Sequence, residues 1–195
     1  MKRLLITGFR PFGGEMINPS WDAVCRLPDV INGYSLHKLL IPVVFGEGAQ
    51  RVIDEAEKIL PDVILCIGQA GGRDSVTPEL VGINLRHGTI PDNSGYAPVD
   101  EPIITGGERA YFSTLPVRKI ASLISEEGIP SYVSYSAGAY VCNDVLYTLL
   151  RRYDKTETRV GFIHVPYSKE QNKEPAMDIS DIVRALICAI ESIDR

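Results

Sequence analysis

The chain has 195 residues, 45% hydrophobic and 23% charged, the balance of one soluble domain large enough to bury a core. Its net charge of −5 argues against a nucleic-acid partner, and no apolar run approaches the roughly 18 residues of a membrane span. The basic start Met1-Lys2-Arg3 precedes too short an apolar stretch for a signal peptide, so a cytoplasmic protein is expected.

Residues 2–7 are an apolar strand that ends in the glycine turn Gly8-Phe9-Arg10-Pro11-Phe12-Gly13-Gly14. Asn18-Pro19-Ser20 reads as a helix start, with the helix reaching about Leu27. A strand over 35–44 and a helix over 46–60 follow, the helix carrying an apolar stripe of Val52, Ile53, Ala56, Ile59 and Leu60. Residues 62–67 are a continuous apolar run, as in a buried parallel strand, ending in a second turn, Gly68-Gln69-Ala70-Gly71-Gly72-Arg73.

Residues 79–85 alternate, with Val81, Ile83 and Leu85 on one face, and predict another strand. Residues 86–113 form a long segment rich in Pro, Gly, Asp and Asn, of the kind that is functional or an interface. A helix over 116–127, a strand over 132–136, a helix over 142–153, a strand over 160–165 and a helix over 179–193 complete the chain. This βαβ alternation predicts a single domain over 1–195: a three-layer α/β/α sandwich around a largely parallel, mixed and twisted sheet.

Ligands of such sheets bind beyond the carboxyl ends of the strands. The glycine turns there lack the GxGxxG and GxxxxGK[ST] spacings, so a nucleotide loop is a weak reading. Phe9 and Phe12 form an apolar slot or belong to the core. The four cysteines are widely spaced with no CxxC pair, which predicts free thiols and no zinc site. Cys66 lies in an apolar strand and reads as core, Cys188 lies in an apolar helical run and reads as core or subunit interface, and Cys25 sits in a short helix and reads as structural.

Cys142 differs, because it stands in the first turn of its helix, where unpaired N–H groups and the dipole favour a thiolate. Position alone leaves packing and catalysis evenly balanced. Among the three histidines, His164 ends the strand one βα unit after Cys142, as a core residue or as the partner of a thiolate. Glu79, entering an apolar strand, is either paired with that imidazole or a solvated strand-start residue.

Six blocks then combine: Thr7-Gly8-Phe9-Arg10-Pro11-Phe12-Gly13-Gly14 with Asn18-Pro19-Ser20; Gly68-Gln69-Ala70-Gly71-Gly72-Arg73 with Thr77-Pro78-Glu79; Ile90-Pro91-Asp92-Asn93; Ala110-Tyr111-Phe112-Ser113-Thr114-Leu115-Pro116; Ser136-Ala137-Gly138 with Val141-Cys142-Asn143; and Gly161-Phe162-Ile163-His164-Val165-Pro166-Tyr167. In that order they resemble the pyroglutamyl peptidase I (pyrrolidone-carboxylate peptidase) family. The resemblance implies a cysteine peptidase that removes an N-terminal pyroglutamyl residue from peptides, with Cys142, His164 and Glu79 as its catalytic positions. It implies Phe9 and Phe12 as lactam-packing rings with Gln69 nearby, no cofactor and no metal, a cytoplasmic setting and a homotetramer.

One departure stands out. Where the family often has arginine before Ile-Pro-Asp-Asn, this chain has Thr89, leaving Arg86 to replace that charge or the charge to be dispensable. The rival readings are a nucleoside phosphorylase-like transferase, which needs a phosphate site and no essential thiol, and an inactive protein that binds pyroglutamyl peptides.

Overall fold

The computed structural model describes residues 1–194. In chain order the elements are β1 (Lys2–Phe9), α1 (Pro19–Arg26), β2 (Val30–Ile31), β3 (Tyr34–Ile41), α2 (Glu47–Ile59), β4 (Val63–Gln69), β5 (Thr77–Pro78), β6 (Val81–Ile83), β7 (Ala110–Phe112), α3 (Val117–Glu126), α4 (Val141–Arg152), β8 (Arg159–Val165), β9 (Tyr167–Ser168), β10 (Ala176–Met177) and α5 (Ile179–Glu191). A single 3-10 turn, Lys169–Gln171, follows β9.

The main sheet is ordered β2-β3-β1-β4-β8-β5. Its four central strands are parallel, and β2 and β5 run antiparallel at the edges. The apolar run of β4 is buried along its whole length, as a strand covered on both faces must be. Its side chains alternate between two cores: Val63, Leu65 and Ile67 pack with α1, α3 and α5, while Ile64 and Cys66 pack with α2 and α4. Each buried Leu, Ile or Val contributes about 1.5–3 kcal/mol of transfer free energy. The result is the expected three-layer α/β/α arrangement around a mixed, largely parallel sheet.

Two expected strands change. The strand over 79–85 contracts to β6, which pairs antiparallel with β7 inside the long 86–113 segment. Its inward residue is Gly82, where a Cβ would stand 2.9 Å from the Tyr147 nitrogen. Residues 132–136 do not form a continuous strand. They run beside 76–80 through the separate bridges Val76↔Ser131 and Glu79↔Ser134. Between these bridges lies Pro78, which has no N–H to donate, so the ladder is interrupted there.

Candidate active site

Cys142 is the second residue of α4. The chain reaches it through the left-handed Gly138 (φ +76°) and an extended Tyr140 that forms the N-cap without a side-chain hydrogen bond. The N–H groups of Val141, Cys142 and Asn143 therefore have neither an intrahelical partner nor a capping side chain. The turn is pinned from the side instead. The Asn143 amide accepts from Ile83 N at 2.9 Å and donates to the Ile83 and Leu85 carbonyls at 2.9 Å each. The buried Asp144 carboxylate accepts from Gly46 N at 2.7 Å and from Arg86 Nε at 2.6 Å.

The Cys142 sulfur lies against Gly68. A Cβ at Gly68 would stand 2.9 Å from Sγ and 2.7 Å from Phe162 Cζ, so the missing side chain makes room for both. Gly68 is the register partner of His164 across β4 and β8, and residues opposite one another in a ladder project to the same face. The thiol and the imidazole are thus brought to one face of the sheet at its carboxyl edge.

His164 Nδ1 lies 2.7 Å from Glu79 Oε1. Because an ionised carboxylate only accepts, the ring proton resides on Nδ1 and Nε2 keeps its lone pair. Arg73 Nη1 donates to the same Oε1 at 2.7 Å and to Thr77 Oγ1 at 2.5 Å, while Nη2 donates to the Ser136 carbonyl at 3.1 Å. The Glu79 backbone is fixed by its N–H to the Phe162 carbonyl at 2.9 Å. Glu79 is therefore the paired, fully buried carboxylate rather than a solvated one.

Burial acts on all three groups. It pushes the Cys142 thiol up to about 12, with the Glu79 charge adding to the rise and Arg73 opposing it. It holds His164 below the usual imidazole range against the pull of Glu79. It would also raise Glu79, but the hydrogen bond and charge of His164, joined by Ser134 and Arg73, keep that carboxyl below its ordinary value. Both shifts act toward the uncharged forms, so burial opposes the helix-start effect that favours a thiolate.

Cys142 and His164 open onto a pocket of about 270 Å³ whose walls include Phe9, Phe12, Asn18, Val43, Gln69, Arg73, Ala137, Gly138 and Tyr140. Phe9 is both core and wall: it lies 2% exposed and packs on Phe162 at 6.2 Å between ring centroids. Its N–H donates to Ser20 Oγ at 3.0 Å, so the Asn18-Pro19-Ser20 helix start also sets the ring's position. Phe12 packs on Tyr140 at 6.2 Å. Asp92 gathers the N–H groups of Phe45, Ser94 and Tyr96, and Asn93 donates to the Pro11 carbonyl at 2.9 Å, tying the long segment to the first glycine turn.

Arg86 does not stand in for the missing arginine, because it is tied to Asp144 and does not line the pocket; Thr89 is exposed. The cation at the pocket is Arg73, which the sequence displays at the end of the second glycine turn but without a local sign of its role. Asn18 and Tyr140 also escaped the sequence reading as site residues. Asn18 announced itself only as a helix cap.

A family model described as pyroglutamyl peptidase matches residues 2–195. The pyrrolidone-carboxylate peptidase of Lactobacillus johnsonii is 47% identical over 197 residues, covering 98% of this chain and 92% of that protein. That of Thermococcus onnurineus is 48% identical over 191 residues, covering 94% of each. The crystal structure of Bacillus amyloliquefaciens pyroglutamyl peptidase I superposes with a TM-score of 0.95 at 43% identity, covering 99% of this chain and 97% of that one. With a match along essentially its whole length, the chain belongs to the pyroglutamyl peptidase family of cysteine peptidases.

Proposed function

We propose that the chain hydrolyses the amide bond following an N-terminal pyroglutamyl residue of peptides, with Cys142 as nucleophile, His164 as general base and acid, and Glu79 as the group that orients the imidazole. The observation that carries this reading is the His164–Glu79 hydrogen bond at 2.7 Å beside a thiol seated on Gly68 at an uncapped helix start. Sulfur attacks the pyroglutamyl carbonyl carbon as its proton passes to His164 Nε2. The C–S bond forms and the carbonyl oxygen takes the negative charge, facing the free N–H groups of α4. Breakage of the C–N bond then takes the proton from Nε2 to the leaving amine and leaves a thioester. Water attacks the thioester, giving its proton to Nε2, and the departing sulfur recovers it.

A lactam ring carries no charge, and the Phe9 and Phe12 walls with the Gln69 amide suit it. In this scheme Thr89 leaves oxyanion stabilisation to the helix start. The test is cleavage of one fluorogenic amide carrying pyroglutamyl, prolyl or glutamyl groups. Release from the pyroglutamyl compound alone is expected, and equal release from the glutamyl compound would overturn the reading.

A cytoplasmic setting belongs to the same proposal, supported by four cysteines that form no disulfide and by the lack of any helix, among the described residues, long and apolar enough to cross a membrane. Assembly as a homotetramer is proposed too, supported by the exposed rings of Phe112, Tyr132 and Tyr135. Light scattering on the purified protein checks it.

A further inference from the structure

Gln171, in the turn after β9, touches two groups whose hydrogen-bonding character is fixed. The Ser168 backbone N–H donates to its Oε1 at 3.1 Å, so that end of the amide is oxygen. At the other end Nε2 lies 3.3 Å from the Glu15 carboxylate and 3.0 Å from Gln69 Oε1. Glu15 is ion-paired with Lys173, whose hydrogen bond holds its carboxyl below the ordinary range, so Glu15 only accepts. The two hydrogens of Gln171 Nε2 are thereby assigned, one to Glu15 and one to Gln69. An amide that faces an N–H must show its oxygen. Gln69 therefore turns Oε1 to Gln171, and its NH2 group is directed the other way, while the residue itself lines the pocket that holds Cys142 and His164.

Resting on the peptidase reading above, we propose that Gln171 is a positioning residue that sets the polarity of the substrate pocket: it turns the Gln69 NH2 toward the ring carbonyl of a pyroglutamyl group. Without this relay Gln69 could present either end of its amide. With it, the site offers a donor, and a ring lacking a carbonyl leaves that donor unpaired. Selection of the lactam is thus set one residue behind the wall that touches it.

The test combines Gln171→Met, which ends the relay, Gln171→Glu, which pulls the Gln69 NH2 out of the pocket, Gln69→Met, and the double variant Gln69→Met/Gln171→Met. Each is measured for kcat and KM on a pyroglutamyl fluorogenic amide and for the Kd of 2-pyrrolidone by calorimetry. Gln171→Met is expected to raise KM and Kd by roughly three- to tenfold with kcat nearly unchanged, and Gln171→Glu to raise them further. In the Gln69→Met background, Gln171→Met is expected to have no added effect. Gln171→Asn, too short to reach Gln69, supplies the same comparison should the Met variant not fold. Unchanged KM and Kd, effects that multiply in the double variant as a loosened turn would produce, or no binding of 2-pyrrolidone by the wild type would each overturn the proposal. Absence of hydrolysis by the wild type would overturn the peptidase reading alone, since the calorimetry decides the relay without turnover.

Discussion

Gly68 faces His164 across the β4–β8 ladder, and the side chain it lacks is replaced by the Cys142 sulfur. Gly68→Ala places a methyl 2.7 Å from Phe162 Cζ and 2.9 Å from Sγ, closer than real Cβ contacts come. Overpacking of this kind costs about 1–3 kcal/mol, and a nucleophile displaced by about 1 Å loses about 10²-fold in rate. Urea denaturation and kcat on the same protein check both, and wild-type turnover by the alanine variant would separate the glycine from the chemistry.

Glu79→Gln removes the charge that draws the His164 pKa upward, leaving burial to push it further down. Activity requires the neutral base, so the acid limb of the kcat/KM profile is expected to move to lower pH. The plateau falls by about 10²-fold or more, because the amide no longer holds the Nδ1 tautomer. An unmoved acid limb would show that Glu79 does not act on the imidazole.

Arg73 donates to the same Glu79 oxygen as His164 does, and its charge lowers both the imidazole and the thiol. The titratable groups around the imidazole and the thiol include Arg73, Glu79, Cys66 and Tyr140. Arg73→Met is expected to move the whole bell-shaped profile to higher pH, to slow alkylation of Cys142 at neutral pH, and to cut kcat/KM by about tenfold or more. Arg73→Lys restores part of the shift by returning the charge without the paired contacts to Thr77 and Ser136.

Stability carries the same electrostatic signature. His164 has a folded pKa below its unfolded value, so the unfolded chain binds the extra proton first, and stability falls as pH drops below about 6.5. Glu79 and Asp92 are held below their ordinary values in the folded state. Their contribution is full above the unfolded carboxyl pKa and is lost as pH falls through the depressed folded ones. Urea midpoints measured from about pH 8 to about pH 2, which takes in the His164 window and then the carboxyl one, are expected to decline monotonically on acidification, and a midpoint that rises between about pH 7 and 6, in the His164 window, would contradict the assignment.

The sheet was legible because parallel strands covered on both faces read as apolar runs; β1, β4 and β8 all show this. Residues 132–136 were misread for a physical reason: their partner is 76–80, and a proline in the partner, not in the segment itself, breaks the ladder. In the site, Cys142 stands in the first turn of α4 and His164 near the end of β8, the next strand in the chain, a placement that chain order displays. The pairing of Glu79 with His164 spans 85 residues of sequence, so chain position could offer both the paired and the solvated reading but not choose between them. Arg73 and Gln171 were hidden for the same reason: each acts through a neighbour met only after folding. The rise of the Cys142 pKa was not legible either, because burial, which no local motif displays, opposes the helix start.

The most direct test is turnover of a pyroglutamyl fluorogenic amide by reduced wild-type protein, Cys142→Ala and Cys25→Ala, each shown folded by circular dichroism. The wild type and Cys25→Ala are expected to cleave it at comparable rates, while Cys142→Ala falls by about 10⁴-fold or more, as loss of a nucleophile does. Comparable turnover by Cys142→Ala would contradict the account.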